Sequence, residues 1–225
     1  MNGFRLVAPG VWQLALLPLD NMNVYLVGDV LVDSGAVLTR RRLLAALRER
    51  QIAAHLLTHA HPDHQGASHA VCLERSVPLW CGSGDRDAAQ SGDLASLVRH
   101  PGSMVGRFAN RTAGPGHPVS CALSEGDEVA DFRVVETPGH TPGHIGLWRQ
   151  RDGVLVLGDV LFNRNPVTLR RGLREPFASA TWDQDQNRAS ARKLAGLGPK
   201  LVCFGHGSPL ADGRRFVEYV AQLPG

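Results

Sequence analysis

The stretch Thr58-His59-Ala60-His61-Pro62-Asp63-His64 places three histidines and one aspartate within positions 59–64. The preceding residues 55–58 (HLLT) predict a short β-strand that ends at this motif. Side chains two positions apart in an extended chain point the same way, so His59 and His61 can reach one metal ion. If the chain then turns into a helix, Asp63 and His64 swing towards a second position beside it. Imidazole and carboxylate are the groups that hold catalytic zinc, so the stretch predicts a metal centre.

Three further candidate ligands follow strand-like segments later in the chain. His140 ends the segment VVETPGH, Asp159 ends GVLVLGD and His206 ends LVCFGHG. Binding sites of α/β proteins collect at the ends of strands, where the chain leaves the sheet. A lone histidine in such a place carries little weight. Together with the HxHxDH motif upstream, the three residues predict one shared metal site.

The order of elements predicts an α/β protein. Residues 11–17 and 23–35 are apolar runs typical of strands, and the Gly28-Asp29 pair in the second run indicates a hairpin. Residues 38–50 carry leucines at helical spacing between arginines, which predicts an amphipathic helix. Strands and helices alternate in the second half as well, which indicates sheets covered by helices. No linker interrupts this pattern, so residues 1–225 are predicted to form a single domain.

Three segments give weaker predictions. Residues 63–74 after the motif predict one helix, and the residues 93–100 (DLASLVRH) carry a helical signal. The stretch that follows Asp159 predicts a long irregular connection before a helix over residues 184–198.

The composition suits a globular protein and not a disordered or fibrous one. The chain has 225 residues, is 43% hydrophobic and has a formal net charge of +3. Its apolar runs, such as residues 154–158, have the length of strands and are too short to cross a membrane. The N-terminal segment lacks a cationic start and a continuous apolar stretch, so it does not predict a signal peptide. Without export, four cysteines and no CxxC pair indicate a reducing compartment, and we expect a cytoplasmic protein.

The series HxHxDH, His, Asp, His resembles the metal-binding series of the metallo-β-lactamase superfamily, over nearly the whole chain from LVDSG to GHG. The resemblance implies an αββα sandwich, in which two mixed sheets are flanked by helices and the site lies along one edge. It implies two divalent metal ions, zinc in the first place, although the same ligands accept iron or manganese. One ion would be held by His59, His61 and His140. The other would be held by Asp63, His64 and His206, with Asp159 bridging the two.

Within this superfamily, the segments TPGHTPGHIGLW and LGDVLF look closest to the glyoxalase II-like thioesterases and their short relatives. The chain departs from that pattern after Asp159, where it reads NRNPVTLRRGLREPF, and in lacking a C-terminal helical domain with glutathione-binding basic residues. Both departures argue against a glutathione thioester as the substrate. The absence of an export signal argues against a β-lactamase.

We therefore expect a binuclear hydrolase, in which a hydroxide shared by the two metal ions attacks a small ester, thioester or lactone. Asp63 is the candidate proton shuttle because it lies at the metal pair. One alternative is a phosphodiesterase or nuclease, although the modest net charge and the lack of a long inserted arm argue against a nucleic-acid partner. Another is a mononuclear iron oxidoreductase that resembles the persulfide dioxygenases.

A few other residues are candidates for supporting roles. Asp33 either forms a turn or accepts a hydrogen bond from a metal-binding histidine, and His144 is expected near the site without binding metal. The basic residues Arg170, Arg171 and Arg174 form either a solvated loop or a contact for an anionic substrate. His55, His69, His100 and His117 have no motif around them and are expected to be surface or capping residues.

Overall fold

The computed structural model describes residues 3–224, in which two large β-sheets pack face to face with helices on their outer sides. The strands are β1 (Arg5–Ala8), β2 (Val11–Ala15), β3 (Asn23–Val27), β4 (Val30–Val32), β5 (Ala54–Leu57), β6 (Leu79–Gly82), β7 (Val119–Leu123), β8 (Glu128–Val129), β9 (Phe132–Glu136), β10 (Ile145–Arg149), β11 (Val154–Val156), β12 (Phe162–Arg164), β13 (Arg171–Arg174) and β14 (Leu201–Cys203). The helices are α1 (Arg40–Leu47), α2 (Pro62–Gln65), α3 (Ser68–Arg75), α4 (Arg86–Ser91), α5 (Met104–Thr112), α6 (Gln184–Ala195) and α7 (Gly213–Ala221).

Both large sheets are mixed. The first has seven strands in the order β1 to β7, antiparallel from β1 to β4 and parallel from β4 to β7. The second has five strands in the order β14-β11-β10-β9-β8, of which only the β11 and β14 pair is parallel. A separate hairpin pairs β12 with β13. This is the αββα sandwich that the family resemblance implied.

The inner core lies between the two sheets and follows from the alternation of side chains along each strand. In β4, Val30 and Val32 face the second sheet, and Val154 and Val156 of β11 face back. The residues between them point to the helices, as Leu155 does on the far side of β11. Because both faces of these strands are covered, their sequences are apolar throughout instead of alternating with polar residues.

Helices close the two outer faces. On the first sheet, Leu43 and Leu47 of α1 pack with Leu14 and Leu31, which confirms the amphipathic helix predicted there. On the second sheet, α6 and α7 supply Leu194 and Phe216 among other buried residues. Each sheet is therefore packed on both faces, against the other sheet and against helices. The loops that leave the ends of the strands start from these rigid elements.

Three local predictions were wrong. Residues 63–74 fall in two helices, because the backbone leaves the helical conformation at Ala67 (φ −106°, ψ 3°) between α2 and α3. Within residues 93–100 only a 3-10 turn, Ala95–Leu97, is present, and Pro101 disfavours helical backbone at the residue before it. The predicted irregular stretch after Asp159 contains the hairpin of β12 and β13, which its arginine-rich sequence does not signal.

No helix within residues 3–224 has both the length and the apolar character that crossing a lipid bilayer requires.

His55 was expected at the surface, but it is fully buried in β5. Its ring bonds to the carbonyl oxygen of Leu31 at 3.1 Å and to the hydroxyl of Ser68 at 2.8 Å. Burial lowers its pKa to about 4, although the Leu31 carbonyl and the charge of Asp33 oppose this shift. His100, in contrast, is exposed as expected.

This burial predicts that acid weakens the fold through His55. Below pH 6.5 the unfolded chain binds a proton at this histidine, while the folded chain binds none until the pH approaches 4, so stability is lost as the pH falls. Between pH 7 and pH 5 the expected loss is about 2 kcal/mol, at 1.36 kcal/mol for each pKa unit. Urea titrations of the metal-free protein at both pH values give the free energies of unfolding. The variant His55→Gln keeps a donor and an acceptor but does not titrate, so this part of the pH dependence of stability should vanish. An unchanged pH dependence would show that His55 is not its source.

Candidate metal centre

The HxHxDH motif leaves the end of β5 as extended chain and then enters α2 at Pro62. The extended part directs His59 and His61 to the same side, and His140, in the loop after β9, meets them there. The ligand atoms of these three histidines all lie within 4.8 Å of one another, and His61 Nδ1 is 2.9 Å from His140 Nε2. We call these three residues the first cluster.

A second cluster lies beside the first and consists of Asp63, His64 and His206. Asp63 and His64 sit in the short helix α2, and His206 follows β14 of the second sheet. Their ligand atoms also lie within 4.8 Å of one another, with 3.1 Å between Asp63 Oδ2 and His206 Nε2. Asp63 is the most exposed member, since 37% of its side chain is accessible, and it marks the open side of the site.

Asp159, after β11, lies between the two clusters. Its Oδ2 atom is 3.2 Å from Nε2 of both His64 and His206 in the second cluster. The same oxygen is 3.9 Å from His59 Nε2 and 3.7 Å from His140 Nε2 in the first. The structure thus brings together all seven residues that the sequence pointed to, with this carboxylate in reach of both groups.

In four of the five cluster histidines, Nδ1 has a hydrogen-bond partner outside the clusters, which leaves Nε2 directed into the site. His61 is the exception, since its Nδ1 faces His140. His64 Nδ1 donates to Asp33 Oδ2 at 2.9 Å, and His206 Nδ1 donates to the Asn21 carbonyl oxygen at 2.6 Å. His140 Nδ1 lies 3.2 Å from the Thr181 hydroxyl, and His59 Nδ1 lies 3.1 Å from the Thr58 hydroxyl. Such partners fix the ring orientation and the tautomer that a metal requires.

Asp33 and His144, the two residues expected to support the site, both contact it. Asp33 adopts the left-handed backbone conformation of a turn (φ 62°) and also accepts hydrogen bonds from His64 and from the backbone nitrogen of Thr58. His144 Nε2 accepts the backbone N–H of Asp159 at 3.1 Å, and its ring stacks 5.0 Å from that of His59. His144 therefore fixes the backbone of Asp159 and, through it, the position of the central carboxylate.

Asp85 is a supporting residue that no local sequence pattern signalled. It is fully buried just after β6 and accepts three hydrogen bonds, at 2.9 Å from the Ala60 nitrogen, 2.7 Å from the Thr141 hydroxyl and 2.7 Å from the Gly143 nitrogen. Ala60 lies between two histidines of the first cluster, and Thr141 follows the third. One carboxylate thus ties together both loops that carry the first cluster.

We expect Asp85→Asn to weaken metal binding at the first cluster by about 10-fold to 100-fold, the usual cost of losing a supporting hydrogen bond. The amide can accept on one side only, so either the Gly143 nitrogen or the Ala60 and Thr141 donors lose their partner. Titration with a competing chelator measures the affinity. Asp87→Asn, the same change at an exposed carboxylate of α4, is the matched control. Equal affinities in both variants would show that Asp85 does not position the site.

Space at the centre is limited by Gly205, in the turn between β14 and His206. A Cβ at this position would lie 2.1 Å from Asp159 Oδ1 and 2.8 Å from His64 Cε1. Any side chain here would displace the central carboxylate, so the turn requires glycine.

The two clusters differ in charge. Burial lowers the pKa of His59 and of His140 well below the ordinary value, so the first cluster is neutral. Burial opposes charge on His206 as well, but the carboxylates of Asp159 and Asp63 outweigh it and raise its pKa to about 10. A cation that enters the second cluster must therefore displace protons.

The residues present fit a pair of metal ions. Within residues 3–224, four buried atoms of the candidate ligands find no hydrogen-bond partner. His61 Nε2 is on the far side of a ring whose Nδ1 faces His140, and the other three are His59 Nε2, His64 Nε2 and Asp159 Oδ1. A buried polar atom without a partner costs about 1–3 kcal/mol. Imidazole nitrogens and carboxylate oxygens at this spacing are a donor set for divalent metal ions, and binding such ions would satisfy His59 Nε2, His64 Nε2 and Asp159 Oδ1.

Phe162, which the sequence analysis did not single out, packs its ring 4.8 Å from the ring of His206.

Arg170 and Arg171 are exposed, while Arg174 donates to the carbonyl oxygens of Gly172 and Arg171 in its own strand. A contact between these arginines and a substrate stays a prediction.

Comparisons with a family model and with individual proteins point to the same superfamily. Residues 17–206 match the model of the metallo-beta-lactamase superfamily. The chain is 30% identical to a probable metallo-hydrolase of Bacillus subtilis, YflN, over 86% of this chain and 80% of that protein. It is 31% identical to a hydroxyacylglutathione hydrolase of Rhodospirillum rubrum over 68% of this chain, but spans only 47% of that enzyme.

Solved structures show the same fold. TTHA1623, crystallised in a di-iron-bound form, is 29% identical and superposes with a TM-score of 0.68 over 92% of this chain and 96% of that one. The B3 metallo-beta-lactamase BLEG-1 is 28% identical, with a TM-score of 0.70 over 96% of this chain and 100% of that one.

Proposed function

This chain belongs to the metallo-beta-lactamase superfamily and is a metallo-hydrolase of that fold, and from this premise we propose that it hydrolyses a small ester, thioester or lactone with two divalent metal ions. Zinc is the metal we expect first, with iron and manganese as alternatives for the same ligands.

One observation carries the proposal: two complete clusters of three ligands share the carboxylate of Asp159. A mononuclear iron oxidoreductase needs only one such cluster, and a full second cluster of Asp63, His64 and His206 supports two ions instead. The hydroxyacylglutathione hydrolases among the relatives support a thioester as one candidate substrate. The chain spans about half the length of those enzymes, so the comparison does not identify the thiol part of the substrate.

The chain's own residues divide the work of hydrolysis. When bound, the two cations supply an acidified water as the nucleophile and a Lewis acid for the carbonyl oxygen. Buried Asp159 lies within 4 Å of histidines from both clusters and so can bind at both of them. Asp63, partly open to solvent, is ionised at neutral pH, because the neighbouring His206 and His64 lower its pKa in spite of burial. Its carboxylate can accept the proton from the attacking water and pass it to the leaving group.

Elemental analysis of the purified protein, paired with a panel of thioesters, lactones, esters and phosphodiesters, tests the proposal. We expect about two metal ions for each chain and turnover of a carbonyl substrate. Turnover of phosphodiesters alone would favour the nuclease alternative. One iron ion with oxygen uptake in the presence of a persulfide would favour the oxidoreductase.

His206→Ala separates the two sites. The variant should lose the ion of the second cluster and keep that of the first, because His206 lies in only one of them. His100→Ala, at an exposed histidine away from both clusters, controls for the loss of an imidazole. Equal metal content in the two variants would mean that His206 is not a ligand.

A further inference from the structure

Aromatic side chains extend outward from the metal centre. Phe162 of β12 is almost fully buried, and its ring lies 4.8 Å from the ring of His206 and 6.4 Å from the ring of His140. It therefore contacts one histidine of each cluster. The ring of Phe177 packs against Phe162 from outside at 6.4 Å, edge to face, and 40% of Phe177 is exposed.

The segment from Phe177 to Trp182 is fixed to the first cluster. Thr181 donates its hydroxyl to the Phe177 carbonyl oxygen, and the same hydroxyl lies 3.2 Å from His140 Nδ1. The backbone N–H of Trp182 donates to the His140 carbonyl oxygen at 3.1 Å, and Trp182 is also 40% exposed. We call the exposed Phe177 and Trp182 of this segment, together with the buried Phe162 that packs against Phe177, the aromatic shelf.

Two exposed apolar side chains lie on a helix that contacts the segment from Phe177 to Trp182. Helix α5 contacts the turn Ala178–Ala180 within the same segment. Met104 and Phe108 lie one helical turn apart on α5 and are 78% and 65% exposed. Apolar side chains that stay in water and border a cluster of polar groups are the usual lining of a small-molecule site.

We infer that the aromatic shelf binds an apolar part of the substrate, an acyl chain or aryl group of several carbons, next to the bond that is cleaved. The inference rests on the proposed hydrolase function for the identity of that bond. The position of Phe162 against both clusters places the apolar group beside the metal centre, on the side of His140 and His206. Selectivity then comes from the length and shape of this group.

Binding of carboxylate products tests the inference without turnover. Calorimetric titration of the metal-loaded protein should give an affinity for octanoate at least about tenfold above that for acetate, since each buried methylene adds roughly a factor of three to four. In Phe177→Ala the affinity for octanoate should fall about threefold to tenfold, and that for acetate by less than twofold. Phe177→Leu, which keeps an apolar side chain, should retain most of the difference.

Leu73→Ala removes an apolar side chain that is 62% exposed on α3 and should change neither affinity. Equal affinities for acetate and octanoate in the parent protein would overturn the inference. A preference for a dicarboxylate over octanoate would also overturn it and would point to the arginines instead.

Hydrolysis of 4-nitrophenyl acetate and 4-nitrophenyl octanoate separates this inference from the proposed function. If the octanoate ester has the higher kcat/KM and Phe177→Ala removes that advantage, both stand. Turnover of both esters with no preference supports the hydrolase and contradicts the shelf. Selective binding of octanoate without any turnover supports the shelf and contradicts the hydrolase.

Discussion

Replacing Asp159 with asparagine is expected to lower the hydrolytic rate about a thousandfold or more, because metal ions contribute several kcal/mol to such reactions and each 1.36 kcal/mol is a factor of ten. Asp159 Oδ2 is the one carboxylate oxygen within 4 Å of histidines from both clusters among the described residues. Loss of its charge should therefore weaken both metal sites, where His206→Ala should weaken one. Metal content and kcat on the best substrate of the panel measure the two effects.

The variant keeps the shape of the side chain and the backbone N–H that donates to His144, so the fold should be retained. Asp29→Asn, the same exchange at an exposed aspartate of the β3 and β4 hairpin, is the matched control. A protein with two bound ions and more than about a tenth of the parent rate would refute the central place given to Asp159.

Asp63→Asn is expected to reduce kcat by about 10²-fold to 10⁴-fold, the range typical for loss of a general acid or base. The position has two proposed roles, as a ligand in the second cluster and as the carrier of a proton. Excess metal distinguishes them: it can refill a weakened site, but it cannot restore proton transfer. We therefore expect kcat to stay low at full metal occupancy, with occupancy measured by elemental analysis after gel filtration.

Asp29→Asn again controls for the chemical exchange. Recovery of the parent rate at high metal concentration would mean that Asp63 serves only as a ligand. The general base would then have to be another group on the open side of the site.

Much of this architecture follows from local sequence patterns. The HxHxDH stretch is readable because its geometry depends on the period of a strand and on the helix start at Pro62, both within a few residues. The strands β4 and β11 are continuously apolar because both of their faces are covered. Helix α1 is amphipathic because only one of its faces is covered. Their positions after strand-like segments and the family resemblance both grouped His140, Asp159 and His206 with the motif, and the structure places them beside it.

Other parts depend on contacts between distant positions, which leave no local pattern. Asp85 looks like any acidic residue before a helix, and its three donors come from loops 25 to 58 positions away. The same holds for Asn21, whose carbonyl oxygen holds a histidine 185 positions further on. The buried His55 was misjudged because its partners, Leu31 and Ser68, lie in other elements.

The metal centre adds a link between two parts of the chain that are also joined by side-chain packing between the sheets and by hydrogen bonds such as those of Asp85. His59 to His64 follow a strand of the first sheet, while His140, Asp159 and His206 follow strands of the second. A ligand that binds only the folded state adds about 4 kcal/mol at a thousandfold excess over its Kd. Metal-free chains should therefore open more often and be degraded faster by proteases, as half-lives during limited proteolysis with and without a chelator would show. The supply of metal would then govern how long each copy of the protein persists, and so its abundance.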